Sequence, residues 1–206
     1  MGDWDANSPR LAENLTRVLR EARDHARSRQ FPTVEQARRW HAGMMSGLNV
    51  PPPGDASWIG QIRGEPGLEN VGVRIGAAWG ADPGQVEEEL QRFQQRLQAA
   101  VSFLDAKIPP GEVPSGGMLE LVLELMSWVH GEWARIHPFA NGNGRIARIW
   151  ANWVAMRYGI PPFVRLRPRP AGAPYADAAA ASMRGDFRTM TPVFLQMLEE
   201  FLREGP

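Results

Sequence analysis

The chain has 206 residues, with 23 basic and 23 acidic side chains and a formal net charge of zero. This length and a hydrophobic share of 43% fit one globular domain with a substantial core. The balanced charge argues against a general nucleic-acid binder, and the absence of cysteine excludes disulfides, thiolate nucleophiles and cysteine-ligated metal sites. Lys107 is the only lysine and lies in no GxxxxGK[ST] motif, so neither a P-loop nor a Schiff-base mechanism is expected.

The N-terminal residues lack both the basic region and the apolar stretch of a secretory signal. No apolar run reaches the roughly 18 residues that a membrane-spanning helix needs. We therefore expect a cytoplasmic protein with no membrane partner and no nucleic-acid partner.

In the first part of the chain, apolar residues three and four positions apart predict two helices, over residues 9–29 and 33–46. Ser8 and Thr33 are the expected N-terminal caps. His41 falls on the apolar side of the second helix, where a packed, hydrogen-bonded structural histidine is expected.

The middle of the chain changes character. Proline and glycine make a helix improbable from residue 51 to residue 67. Residues 70–76 then alternate apolar and other side chains, which predicts a short strand in an exposed flap.

Helical periodicity returns after this strand. It predicts helices over 82–107, 117–135, 145–158 and 175–183, with a last helix capped by Thr191 and Pro192. The helix at 117–135 is the most apolar and is expected to be central and buried on nearly all sides, with His130 as a structural residue. The expected fold class is all-α, as a single domain with one β-flap.

The segment from His137 to Arg148 (HPFANGNGRIAR) lies between two of these helices. Pro138 is expected to hold His137 in an extended conformation, and the glycines that follow allow a sharp turn. A helix that starts near Asn143 would direct unpaired N–H groups and the positive end of its dipole to one place, which favours a phosphate.

Arg145 and Arg148 share one face of the first helical turn and can grip further phosphate oxygens. The positive helix start also favours a neutral His137 that can accept a proton at pH 7. A base beside a phosphate cradle indicates group transfer from a phosphate ester to a hydroxyl. The competing interpretation is an ordinary helix-start turn with solvated arginines. It does not account for the coincidence of seven such specific residue types within twelve positions.

This segment resembles the motif HxFx(D/E)GNGRxxR of the Fic/Doc superfamily of AMP-transferring enzymes at every defined position but one. Weaker resemblances to the flap, the early helix and the C-terminal half of the family occur at residues 60–63 and 70–76, 37–41, and 159–163 and 175–186. The resemblance covers about residues 33–200 and implies a single Fic domain over 1–206, with residues 1–32 as an N-terminal helix. The implied fold is a Fic-type helical bundle with a small β-hairpin flap beside the active site.

The resemblance implies transfer of AMP from ATP to a Ser, Thr or Tyr hydroxyl of a protein, with Mg2+ and release of pyrophosphate. His137 would be the general base, and Phe139 a buried anchor of the loop. The implied phosphate-binding residues are Gly142, Asn143 and Gly144 for the α-phosphate, Arg145 for the β- and γ-phosphates, and Arg148 for the terminal phosphate.

The resemblance also implies how a target protein binds. The flap strand would pair with the backbone of the target and place its hydroxyl in line, through Val71, Gly72, Val73, Arg74 and Ile75. The inhibitory pattern (S/T)xxxE(G/N) of the family does not fit the chain, which leaves room for an antitoxin-like inhibitor supplied in trans.

The one departure from the motif is Asn141, where the family has the Asp or Glu that ligates Mg2+. An amide oxygen brings no charge, so we expect Asn141 to be a weak Mg2+ ligand. Three interpretations stay open: an AMP transferase, an enzyme that transfers another phosphate-containing group, or a weakly active or inactive nucleotide- or partner-binding module. Gly144 favours AMP transfer over phosphorylation, because the kinases of the superfamily have a bulkier basic residue there.

Overall fold

The computed structural model describes Trp4 and residues 8–205. This part of the chain is mainly helical, as the sequence predicts. Its α-helices and strands are α1 (Pro9–Arg27), α2 (Val34–Met45), β1 (Arg74–Ile75), β2 (Ala78–Trp79), α3 (Val86–Asp105), α4 (Gly117–Ile136), α5 (Asn143–Arg157), α6 (Ala173–Ser182) and α7 (Met190–Glu204), with short 3-10 helices at Ala56–Trp58 and Pro83–Gln85. No helix among the described residues is long and apolar enough to cross a membrane.

Helices α4 and α5 form the centre of the bundle. α5 packs against α4, α1 and α2, while α3, α6 and α7 pack against α4. Every residue of α5 except Gly144 is buried, whereas Glu120 and Glu124 of α4 are exposed. The expectation that α4 would be the helix buried on nearly all sides was therefore wrong.

The polar side chains of α5 explain why its burial was not predicted. Hydropathy assigns such side chains to the surface, whereas in α5 they are buried. Asn152 of α5 exchanges hydrogen bonds of 2.7 and 3.0 Å with the backbone of Val164, and Arg157 pairs with Asp105 at 2.6 Å. Buried polar groups that keep such partners avoid most of their desolvation penalty.

An aromatic cluster joins the central helices. The ring of Trp150 in α5 lies 4.7 Å from Trp40 of α2, 6.0 Å from Trp133 of α4 and 5.5 Å from Trp153, centroid to centroid. Aromatic rings at such spacings pack favourably beyond the area that they bury. The cluster fixes α2, α4 and α5 next to the connection between α4 and α5.

The predicted caps at the first two helices are confirmed, and the predicted cap of the last helix was wrong. Ser8 accepts a hydrogen bond from the N–H of Leu11, and Thr33 accepts one from that of Gln36, both at 3.1 Å. Thr191 instead lies inside α7, where its hydroxyl bonds to Ser127 Oγ at 3.0 Å. That long-range contact replaces the local capping role.

The flap is a hairpin with a two-residue connection. β1 and β2 are antiparallel, with Arg74 opposite Trp79 and Ile75 opposite Ala78. The strand is shorter than the predicted span of 70–76, because the chain before it is tied to the body of the protein: the carbonyl of Val71 accepts a hydrogen bond from Arg63.

Candidate active site

The site is built on the connection between α4 and α5, which His137 begins. His137 has φ 54° and ψ 56°, so it is left-handed and not extended as Pro138 led us to expect. Its N–H still bonds to the carbonyl of Trp133 at 3.0 Å, which makes it the terminal cap of α4. A proline disfavours the right-handed helical region for the residue before it, and here the cap selects the left-handed alternative.

The ring of His137 is held in one orientation. Its Nδ1 lies 3.0 Å from the carbonyl oxygen of Ala134. Because a carbonyl only accepts hydrogen bonds, we assign the proton to Nδ1, which leaves the lone pair on Nε2. Burial lowers the pKa of His137 to about 4, with a further lowering by the charge of Arg63 against a raising effect of the Ala134 hydrogen bond. A pKa near 4 corresponds to a neutral imidazole at pH 7, and its main cause is burial rather than the helix start.

Phe139 packs the connection against α2. It is fully buried and stacks on His41 with ring centroids 3.9 Å apart. His41 Nδ1 accepts a 3.0 Å hydrogen bond from the N–H of Gly60, so Nε2 donates to the carbonyl of Asn141 at 3.1 Å. His41 therefore has the predicted structural role and also fixes the backbone of the loop.

Asn143 and Gly142 shape the start of α5. The side chain of Asn143 accepts from the N–H of Phe139 at 2.9 Å and donates to its carbonyl at 2.7 Å. Gly142 has φ 79°, and a Cβ there would lie 2.8 Å from Met45 and 2.9 Å from Met44. The side chain of Asn143 thus holds the loop. For the predicted phosphate contact, only the backbone N–H of Asn143 remains.

The two motif arginines are largely buried, which rules out the solvated-arginine interpretation. Arg145 Nη2 donates to Asn141 Oδ1 at 3.0 Å. Arg148 donates to the carbonyl of Leu166 through Nε at 3.2 Å and Nη2 at 2.9 Å. Both guanidinium groups are positioned at the α5 N-terminus. There the N–H groups of Arg145 and Ile146 bond to the carbonyl of Gly142, which leaves those of Asn143 and Gly144 without an intrahelical acceptor.

A cavity of about 620 Å³ lies between the flap and this helix start. It collects most of the site residues that the sequence predicts. The lining residues named there are Gly72, Val73, Arg74, Ile75, His137, Asn141, Gly142, Asn143, Gly144, Arg145 and Arg148, joined by Trp79, Ala140 and Arg169. Phe139 and Val71 are not among the lining residues, and the carbonyl of Val71 is bonded to Arg63.

A second cavity, of about 600 Å³, adjoins the first and shares five lining residues with it: Ile75, His137, Gly144, Arg148 and Arg169. Small apolar side chains of α6 form much of its wall. His130 also lines it, with Nε2 2.8 Å from the hydroxyl of Tyr175. The structural role expected for His130 agrees with this buried contact.

Arg63 was not singled out from the sequence, yet it connects the flap to the site. Its buried guanidinium donates to the carbonyls of His137 (2.7 Å), Ala81 (2.8 Å), Ile136 (3.0 Å) and Val71 (3.1 Å). The only sequence feature that pointed to Arg63 was its place in the segment 60–63, which resembles part of the family's flap. Periodicity does not predict that an arginine is buried.

Gly80 allows the base of the flap to approach the connection between α4 and α5 closely. A Cβ at this position would lie 2.7 Å from Cβ of His137 and 3.0 Å from the guanidinium of Arg63. Its N–H donates to the carbonyl of Val73 at 3.0 Å. No sequence pattern predicts this role of Gly80, since the close approach depends on how distant segments pack.

The donor set does not suit a protein-bound Mg2+ ion. Asn141 Oδ1, the expected ligand atom, accepts a hydrogen bond from Arg145. No Asp or Glu is among the residues that line either cavity, and the described residues contain no group of three His, Asp or Glu side chains that could hold a metal. Mg2+ prefers carboxylates together with substrate phosphates.

Comparisons with known proteins agree with the motif. The sequence model of the Fic/DOC family matches residues 31–155. A protein adenylyltransferase Fic from Culex quinquefasciatus is 28% identical over 116 residues, which is 56% of this chain. Those residues cover only 20% of the Culex protein.

Solved structures share the fold at low identity. The BepC effector of Bartonella tribocorum, with bound AMPPNP, aligns over 91% of this chain and 85% of its own, with a TM-score of 0.60 and 18% identity. A Fic domain from Bartonella quintana with bound ADP aligns over 94% and 87%, with a TM-score of 0.56 and 18% identity. A Fic-domain signalling protein of Bacteroides thetaiotaomicron aligns over 92% and 69%, with a TM-score of 0.55 and 20% identity.

Proposed function

The chain belongs to the Fic/DOC family, and on that premise we propose that it transfers AMP from ATP to a Ser, Thr or Tyr hydroxyl of a target protein. One observation carries the proposal. His137 presents a neutral ring, with the lone pair on Nε2, in the wall of a cavity that also contains the α5 N-terminus and two fixed arginines.

The proton transfer is assigned to His137. The target hydroxyl oxygen attacks the α-phosphorus, a new O–P bond forms, and the bond from the α-phosphorus to the oxygen that bridges it to the β-phosphate breaks. The hydroxyl proton passes to Nε2 of His137, and pyrophosphate leaves. Because Nδ1 already donates to Ala134, the ring needs no tautomer change before it accepts this proton.

The phosphates are assigned to the start of α5. Its first-turn N–H groups and the positive end of its dipole favour an anion, and Gly142 and Gly144 allow the backbone to approach it. Arg145 and Arg148 would bind the outer phosphates, as charge-assisted hydrogen bonds favour.

The nucleoside is assigned to the adjoining cavity. Its volume of about 600 Å³ lies within the range of small-molecule sites, and its walls combine alanines with a few polar groups, His130 and Tyr175 among them. The nucleotides bound to the Bartonella relatives support a nucleotide in this fold.

The target is assigned to the flap. β1 pairs only with β2 among the described residues, so its other edge is available for strand addition. Backbone pairing would place a target hydroxyl close to His137, because the flap and His137 line the same cavity.

A double-label assay tests this proposal. The protein is incubated with a cell lysate and ATP labelled at either the α- or the γ-phosphate, and proteins are separated and counted. Label from the α-position alone is expected. Label from the γ-position would indicate phosphorylation instead, and no label from either would favour a binding module. Labelled UTP, GTP and CTP in parallel would identify another nucleotide donor.

A further inference from the structure

The cavity assigned to the phosphates contains two positive charges that the motif does not include. Arg169 lines both cavities next to Arg148, and Arg74 enters the first one from the flap. With Arg145 this gives four arginines around one cavity that has no carboxylate in its lining. The balanced charge of the whole chain conceals this local excess.

Arg169 is an exposed side chain of the loop after α5, and that loop is tied to the helix that carries the motif arginines. Arg148 donates two hydrogen bonds to the carbonyl of Leu166, three residues before Arg169. Asn152 fixes Val164 in the same loop. Within the described part of the chain Arg169 itself has no salt bridge or hydrogen bond, so its guanidinium is available to a ligand.

These charges also disfavour a divalent cation. A Mg2+ ion at Asn141 would displace the hydrogen bond from Arg145 and meet several guanidinium groups without a carboxylate to offset them. Arginines bind phosphate oxygens directly through paired N–H donors, and so supply the counter-charge that a metal would otherwise give.

We propose that Arg169 binds phosphate oxygens of the nucleotide and, together with the motif arginines, takes the place of Mg2+ as counter-charge, so that nucleotide binding does not require a divalent metal. This inference rests on the proposed function only in placing the phosphates at the α5 N-terminus. It concerns the binding of the nucleotide and not the transfer of AMP, so binding and transfer are tested by separate experiments.

Titration calorimetry of ATP with the purified protein tests the metal independence. The dissociation constants in EDTA and in excess MgCl2 are expected to agree within about threefold, because arginines carry the charge in both buffers. Binding of ATP only when Mg2+ is present would overturn the inference and leave the proposed transfer standing. ATP binding in both buffers without any labelling would instead overturn the transfer alone, and no ATP binding in either buffer would overturn both.

Arg169→Gln tests the assigned residue, with Arg165→Gln as its matched control. Arg165 is an exposed arginine of the same loop and lines a different cavity. In EDTA, Arg169→Gln is expected to weaken ATP binding by about tenfold, the loss typical of one charge-assisted contact. Adenosine, which has no phosphate, should bind both variants like the original protein. Equal losses of ATP affinity in both variants, or a loss for adenosine as well, would refute a phosphate contact at Arg169.

The variant Asn141→Asp is expected to make ATP binding depend on Mg2+. The new carboxylate would add an Mg2+ ligand and repel the phosphates when no metal is present. ATP affinity of this variant is expected to fall by about fivefold in EDTA and to recover in MgCl2, because the added charge needs an ion to offset it. Metal-independent affinity in Asn141→Asp would contradict the proposed exchange of arginine for metal.

Discussion

Arg63 Nε donates a 2.7 Å hydrogen bond to the main-chain carbonyl of His137, and the same guanidinium binds carbonyls on both sides of the flap. A single buried side chain therefore fixes the proposed base and the proposed docking strand relative to each other. Burial lowers the pKa of Arg63, against a raising effect of Asp82. The group keeps its charge because the pKa of an arginine starts far above neutrality.

The first prediction concerns this contact. Arg63→Met would leave the main-chain carbonyls of Val71, Ala81 and His137 without this donor, while that of Ile136 keeps the N–H of Ala81, and we expect the free energy of unfolding to fall by about 3 kcal/mol. The exposed Arg92→Met is the control, with an expected change within about 0.5 kcal/mol. Urea unfolding of both variants measures the difference, and equal stability of the two would show that the Arg63 contacts do not hold the site together.

The second prediction compares two glycines of the loop. Gly142→Ala forces a Cβ onto a residue with φ 79° and against Met44 and Met45, and should cost about 2 kcal/mol of stability. Gly144→Ala meets only Arg148 at 3.4 Å and should leave stability unchanged or raise it slightly. Because this Cβ enters the cavity wall, Gly144→Ala should still slow transfer by about tenfold. Thermal unfolding and initial rates distinguish the two effects, and a stable but fully active Gly144→Ala would place the nucleotide elsewhere.

The third prediction concerns acid stability. Burial lowers the pKa of both His41 and His130 to about 3, whereas the unfolded chain protonates near 6.5. Between these values the unfolded state binds more protons, so stability is present above pH 6.5 and is lost as the pH falls. From pH 7 to pH 5 each ring should account for roughly 2 kcal/mol of lost stability.

His130→Phe tests the contribution of one ring. The variant loses the bond to Tyr175, so its stability at pH 7 is not the measure. The measure is the change in the free energy of unfolding from pH 7 to pH 5, which should be smaller in His130→Phe by roughly the amount of one titrating ring. An unchanged pH dependence would mean that His130 is not kept neutral by burial.

The fourth prediction concerns the rate of transfer. Burial lowers the pKa of His137 to about 4, so its ring stays neutral and able to accept a proton down to nearly that pH. The value of kcat/KM should therefore be flat from pH 8 to pH 5.5, where the protein is kept folded by a low assay temperature. A decline centred near pH 6.5 would indicate an exposed imidazole as the base.

Local physics predicted much of the fold. Helical periodicity located the helices, and the side-chain caps at Ser8 and Thr33 are present. The errors arise where tertiary contacts override local preference. His137 is left-handed although a proline follows it, and α5 is the most buried helix although it carries arginines.

The residues of the candidate site fall into the same two groups, those predicted from the local sequence and those placed by tertiary contacts. The motif residues other than the buried Phe139 line one cavity, because they lie on one short connection and the helix that follows. Arg63, Gly80 and Arg169 come from other segments and acquire their roles only through packing. No local pattern marks such residues, since their partners are distant in the sequence.

The central claim is that His137 accepts the proton from the target hydroxyl, and His137→Asn tests it most directly. Asparagine tolerates the left-handed conformation better than most residues, so the loop should keep its shape while the ring nitrogen is removed. The measurement is protein labelling from α-labelled ATP, alongside the melting temperature and ATP affinity of the same variant. We predict a loss of labelling of about a thousandfold with folding and ATP affinity preserved; labelling at the original rate would contradict the assignment of His137 as the base.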